Sequence, residues 1–415
     1  MSEAPSNPQS SILNPQSPRQ TYFGHISPLV SASAVLYFLN IIFQGKIATV
    51  ELGAFWVIFT LGWALARGDV RFSWHILYFP LLLYGVVSTV SALASPRRLH
   101  AYGESMLWFK MLIFPAAILL LRELPRLRDL IVKAHAIFVT YISLWGLIEF
   151  IFFDRRDLEH RINGPSTHVM TFSGLLLPLS LMLLFLWWHE RKWWQLVSGS
   201  LATVTLLLTF TRSVWLGWVV AAAVVLLVTR ARLVFYALPA LILFLTFMPM
   251  ALFSRMVSAF DTRQESNFDR IRMLEAGVEM IKDFPILGVG PANTKEFYSI
   301  YRKHDAPRAR PAHLHNNVIQ LWAERGILGL GAYLLLLTLF LRECIRAWST
   351  PRRMWAEVGV AVAVSLTVAG LFEFNWGDTE VFYILLNLFA LVAVSVEQPR
   401  PESNELHPGL VPAPA

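Results

Sequence analysis

Cys344 is the only cysteine in 415 residues. A lone thiol excludes an intrachain disulfide and any cysteine-ligated metal or redox centre. Charge is also scarce, with 15% charged residues against 55% hydrophobic ones. With a mean hydropathy of +0.52, that balance excludes an ordinary soluble enzyme and indicates an integral membrane protein. The sequence has no phosphate-binding loop with its Lys-Ser/Thr pair, no repeat of solenoid period and no nucleic-acid signature. The connections expected outside the cell contain no Asp-x-Asp or Asp-Asp pair to hold a divalent cation, and His313 and His315 are too close in sequence for a helical zinc pair. The expectation is therefore no metal site and no cofactor.

What the chain has in abundance is apolar runs. About twelve reach or approach the length that crosses about 30 Å of hydrocarbon. They cover 26–44, 50–67, 73–94, 105–122, 129–152, 168–187, 195–211, 214–229, 233–251, 317–341, 355–373 and 380–396. The expected fold class is all-α, a polytopic membrane protein with about twelve transmembrane helices and one large helical loop. In order along the chain this gives a tail at 1–25, nine spans in 26–251, the loop at 252–316, three spans in 317–396 and a second tail at 397–415. The first tail is rich in Ser, Pro, Gln and Asn, lacks an apolar stretch and reads as disordered.

Net charge is +7, and its placement sets the orientation. Arg67 and Arg71, Arg122 to Arg128, Arg191 and Lys192, Arg230 and Arg232, and Arg342 to Arg353 fall in every second connection. The positive-inside rule makes those connections and both tails cytoplasmic, and membrane lipids become expected ligands of the excess charge. The other connections then lie outside, and three of them, 95–100, 154–164 and 253–315, carry arginine all the same. An anionic ligand accounts for that, since guanidinium binds phosphate bidentately and stays charged.

Several residues in this outer set could carry chemistry. His313 and His315, at i and i+2 before an apolar helix, can accept a proton near neutral pH, or can simply cap and solvate the helix start. Arg212, in Thr211-Arg212-Ser213 between two spans, is costly at a membrane edge unless paired or bound to a ligand. Arg270 and Arg272 open an amphipathic helix whose stripe is Met273, Ala276, Met280 and Ile281, and an anion there would offset their unfavourable place on the helix dipole. Lys110, near the outer end of an apolar run, can snorkel outward. Glu149, Glu373, Asp378 and Glu380 are membrane-edge carboxylates that could orient a histidine, act as a base or pair with arginine. Gly288-Val289-Gly290 reads as a structural turn before a short helix through Tyr301.

These residues also resemble a known family. His315-Asn316-Asn317 through Glu324-Arg325-Gly326-Ile327-Leu328-Gly329-Leu330 is similar to the H-N-x-x-(L/I)…E-x-G-(I/L)-x-G-L signature of the bacterial O-antigen ligase and polymerase superfamily. Arg270 through Pro285-Ile286-Leu287-Gly288-Val289-Gly290 resembles its R…P-(L/I)-x-G-x-G segment, Thr211-Arg212-Ser213 its (S/T)-R-(G/S) junction, and Arg161-Ile162-Asn163-Gly164 its R-x-x-G loop. The doubled His313-Leu314-His315-Asn316 leans toward the ligase branch.

The resemblance implies a glycosyltransferase of the bacterial inner membrane with its active site facing the periplasm. Its donor would be a glycan on undecaprenyl pyrophosphate, and its acceptor the lipid A core oligosaccharide. In that reading His313 or His315 is the general base, and Arg212, Arg270, Arg272, Arg161, Asn316 and Lys110 bind substrate. Transfer would invert the anomeric carbon without a metal. An O-antigen polymerase, a protein O-oligosaccharyltransferase and a non-enzymatic transporter are the alternatives, though a transporter should show paired halves with interrupted helices. Oligomeric state is not legible.

Overall fold

The computed structural model describes residues 27–43, 47–105, 110–153, 161–166, 168–229, 261 and 263–397. The expected ninth span at 233–251, Arg230, Arg232 and nearly all of both expected tails lie outside the described residues. The described residues are helical with no strand. The helices are α1 (Pro28–Ile42), α2 (Ile47–Ala66), α3 (Tyr78–Ala94), α4 (Arg98–Ser105), α5 (Ile113–Glu123), α6 (Leu127–Phe152) and α7 (Val169–Glu190). They continue as α8 (Trp193–Leu208), α9 (Arg212–Thr229), α10 (Glu265–Asp283), α11 (Thr294–Tyr301), α12 (Asn317–Ala347), α13 (Arg353–Ala369) and α14 (Thr379–Val396).

Helices α7 and α14 read as apolar around their whole circumference, which is the pattern of a helix surrounded by others. They are accordingly the most buried of the long apolar helices. Helix α7 packs against α8 and α13, and α14 against α5, while Phe389 of α14 stacks on Phe340 of α12 at 3.8 Å. Across the core, Tyr37 of α1 donates to Asn387 of α14 at 2.7 Å. A shared hydrogen bond is what makes those two polar groups tolerable at that depth.

Five helices among the described residues, α6, α7, α9, α12 and α14, are long and apolar enough to cross a membrane. Several other expected spans are shorter as helices because part of each apolar run lies in turns. The run at 105–122 is interrupted, with a single tight turn at 110–112 before α5 begins. At that interruption Lys110 does not snorkel outward: it is buried and paired with Glu51 of α2 at 2.6 Å. A partner carboxylate removes the drive to reach water.

Connections expected on the same side of the membrane meet one another. At one end, Arg122 donates to Ser73 and Glu397, and Arg353 pairs with Glu357. At the other, Arg97 pairs with Glu296, and Ser95 donates to Val289 O at 2.6 Å.

The second end carries a separate small core. Met273, Ala276, Met280 and Ile281, the expected stripe of α10, pack with Tyr298 of α11, Leu314 and Ala323. Full burial of side chains the size of Met273 and Met280 stabilises by about 1.5–3 kcal/mol each.

Helix α12 joins the two cores, and it does so by breaking. Gly326 has φ 66° and ψ −174°, which interrupts the helical ladder. The segment 285–290 inserts at the break. Val289 and Gly290 donate to Ala323 O and Glu324 O at 2.8 and 2.9 Å, and Ile327 N donates to Pro285 O at 2.9 Å. These bonds replace those the broken helix lost. They also occupy the amides of the Gly288-Val289-Gly290 turn, so the turn is structural as expected, with no amide pair left to cradle an anion.

Candidate active site

Leu314 decides where the two histidines point. Its side chain is buried in the small core and its N–H donates to Gln320 Oε1 at 2.7 Å. With the middle residue anchored inward, His313 and His315 both face the opposite side, their ring centroids 4.3 Å apart and edge-on. His315 holds φ 51°, a left-handed conformation that non-glycine residues adopt at a cost.

The next two residues bind the loop that completes the site. Asn316 caps α12 by accepting from Ile319 N at 2.9 Å, and its amide donates to Leu371 O at 2.8 Å. Asn317 accepts from Trp376 N and donates to Asn375 Oδ1, while its own N–H donates to Gly370 O. Together they clamp residues 370–376 against the start of α12.

That clamp presents Glu373. Its carboxylate lies 2.9 Å from His315 Nδ1, 3.3 Å from His313 Nε2 and 3.6 Å from an Arg270 nitrogen. Burial alone would raise the Glu373 pKa, but the hydrogen bond from His315 and the neighbouring imidazoles and guanidinium outweigh it and bring it down to about 2. An ionised carboxylate only accepts, so His315 Nδ1 carries the proton and its Nε2 holds the lone pair. Nε2 of His315 has no hydrogen-bond partner among the described residues. His313 differs. Its Nδ1 accepts from His315 N at 3.4 Å, its Nε2 faces Glu373, and burial holds it neutral with a pKa of about 4. Burial also lowers the Arg270 pKa, against the pull of Glu373.

Beside this cluster opens a cavity of about 560 Å³ lined by His313 and Glu373. Lys110, Lys295 and Arg325 bring cations to its wall, and Asp378, whose carboxyl is raised by burial, accepts from Thr171 on another side. Arg325 is held by Ser88, by Glu324 and over the Tyr84 ring.

The other expected residues are placed around the cluster. Arg212 donates to Gln264 at 3.1 Å and Asn267 at 2.6 Å, one turn before Arg270 on α10. Arg161 donates to Thr209 O and Thr211, just ahead of Arg212. Arg272 points to Glu275 and Asp305 and stacks over Phe268. The structure thus gathers His313, His315 and Arg270, with Lys110 on the cavity wall, while Asn316 is seen capping and fastening. Sequence reasoning left out Lys295, Arg325 and Asn317. Arg325 stood inside the motif unremarked. Asn317 needed the fold, because its partners are in a distant loop.

One expectation about metals changes. His313, His315 and Glu373 offer ligand atoms within 4.8 Å of one another, a set that could hold an ion. Spacing could not show it, since Glu373 is 58 residues from His315. Two imidazoles and a carboxylate suit a divalent metal in kind, but the Arg270 guanidinium beside Glu373 opposes a dication there.

Residues 197–334, from within α8 to the first part of α12, match the family model described as O-antigen ligase. This match, over about a third of the chain, supports an O-antigen ligase/polymerase superfamily assignment. Its long apolar helices make the chain a multi-pass membrane protein, and members of that superfamily are glycosyltransferase-like enzymes. No curated protein matches the chain. The superfamily segment ends before Glu373, so the matched residues supply the imidazoles and Arg270 but not the carboxylate that orients them.

Proposed function

We propose that this protein is an O-antigen ligase, moving an O-antigen glycan from undecaprenyl pyrophosphate to the lipid A core oligosaccharide. The site would face the periplasm from the bacterial inner membrane, with 252–316 as the periplasmic loop. The observation that carries the reading is the Glu373–His315 hydrogen bond, which leaves a lone pair on Nε2 while the half-buried Arg270 faces the same carboxylate.

In this reading an acceptor hydroxyl attacks the anomeric carbon while His315 Nε2 takes its proton. The bond from that carbon to the diphosphate oxygen breaks, and the lipid diphosphate leaves with the electron pair. Glu373 stabilises the imidazolium that forms, and Arg270 stabilises the leaving diphosphate from a poorly hydrated position where its charge acts strongly. One displacement inverts the anomeric centre. His313, neutral and fastened to the His315 backbone, is a positioning residue. Arg212 acts through Asn267 and Gln264, fixing the start of α10 and so the Arg270 guanidinium. The reaction needs no metal in this scheme, because permanent cations supply the charge.

The test offers purified protein one lipid-linked glycan and two acceptors, lipid A core and a second glycan-lipid. Product on lipid A core is expected. Product on the second glycan-lipid alone would make the protein a polymerase, and no glycan transfer to either would end the enzymatic reading.

A further inference from the structure

Between α11 and His313 runs a strap, 302–310, that contains Arg302, Lys303, Arg308 and Arg310 but only one carboxylate, Asp305. The strap is fastened along one face of α10. Lys303 pairs with Glu275 at 3.1 Å, Asp305 with Arg272, and Arg308 with Asp269 at 3.0 Å. Glu275, Arg272 and Asp269 are spaced three apart on the helix, so the strap runs antiparallel to α10, toward the end that holds Arg270. Pro307 and Pro311 stiffen it.

These pairings consume the available carboxylates before they consume the cations. The guanidinium of Arg302 reaches the Arg308 carbonyl at 3.5 Å and no carboxylate. Arg310 is exposed and has no carboxylate partner among the described residues. The half-buried Arg302 and the exposed Arg308 and Arg310 therefore form a cationic patch with Asp269 as its one paired carboxylate. The patch borders the active site, because Asp269 precedes Arg270, whose guanidinium reaches Glu373.

We propose that this patch docks phosphate groups of the acceptor glycan, so that the acceptor is chosen by its charge as well as its hydroxyl. The proposal rests on the transferase reading of the adjacent site. Guanidinium matches phosphate in geometry and charge, and exposed guanidinium groups act chiefly on capture and selection. A bilayer headgroup could offer the same phosphate. It would gain nothing from a patch that leads in three residues to His313, whereas an acceptor held there is delivered to the base.

The test measures binding in the absence of donor, using full-length protein in nanodiscs. The probes are a phosphorylated core oligosaccharide and the same oligosaccharide after phosphatase treatment. Wild type should prefer the phosphorylated probe by about tenfold, a preference that fades with added salt. The Arg302→Gln/Arg310→Gln double variant should bind it about tenfold more weakly while its affinity for the dephosphorylated probe changes by less than about twofold. Lys at both positions should recover part of the preference. Equal weakening toward both probes would overturn the proposal. So would an unchanged preference accompanied by lost binding to phosphatidylglycerol vesicles, which would make the patch a membrane contact. Because no turnover is read, a protein that discriminates phosphate yet never transfers glycan refutes the ligase reading alone.

Discussion

Replacing Glu373 with Gln removes one charge and almost no volume, which isolates what the carboxylate contributes. In the native site it accepts from His315 Nδ1 at 2.9 Å and faces Arg270 at 3.6 Å. When His315 takes the acceptor proton, a cation forms next to that carboxylate. Unit charges about 4 Å apart attract by about 4 kcal/mol at an effective dielectric of about 20. Arg270 cancels part of this, leaving about 2–4 kcal/mol of transition-state stabilisation, or about 30- to 1000-fold in kcat. The amide can still accept from one imidazole, but its NH2 then meets a second N–H, so the ring loses its fixed orientation as well. KM for the donor should change little. The substitution also strips Arg270 of its counter-ion, which destabilises the fold by about 1–3 kcal/mol. A Glu373→Gln/Arg270→Gln pair should regain that stability without regaining turnover, separating the two effects. Single-turnover transfer with a lipid-linked glycan is the assay. A Glu373→Gln protein that folds and turns over within about threefold of wild type would refute the dyad.

Three further outcomes follow from the same geometry. His313 is held neutral at about 4, below its usual 6.5. Between those values the unfolded chain binds a proton the folded one refuses, so stability is full above pH 6.5 and falls as pH drops toward 4. Thermal melts across that window should show the slope in wild type and lose it in His313→Gln, and equal slopes would contradict the assignment. A Cβ on Gly326 would lie 1.8 Å from Ile286 O, against backbone that cannot yield. Gly326→Ala should therefore cost more than about 3 kcal/mol and abolish accumulation of folded protein, and normal yield with an unshifted melting temperature would show that the break is not required. Excess chelator should leave transfer intact. Loss restored by added metal would assign His313, His315 and Glu373 to an ion instead.

The helices were legible where periodicity or all-round apolarity is a local property, as in α10, α7 and α14. The site was legible only in part. His313 and His315 stood out because two imidazoles before an apolar helix are odd chemistry, and Arg270 because a cation opening a helix works against the dipole. Glu373 was visible as a membrane-edge carboxylate, but nothing local assigns it to His315 rather than to an arginine. The pairing follows from Asn317, whose amide and backbone both reach the 370–376 loop. Arg212 drew notice for its charge at a membrane edge, and in the fold it donates to the side-chain amides of Gln264 and Asn267 at the start of α10.

The break at Gly326 was hidden for a different reason. The apolar pattern runs through it from Val318 to Leu341, and a left-handed glycine inside such a run leaves no trace in the periodicity. The break lets one helix serve two cores. Its first turns carry Ala323 into the small core of α10 and α11, and the remainder packs Leu336 and Phe340 into the bundle. A straight helix would hold the imidazoles in register with the bundle alone. Broken and pinned by 285–290, it ties them to α10 as well, so Arg270 from one core and Glu373 from the other meet at the same pair of rings.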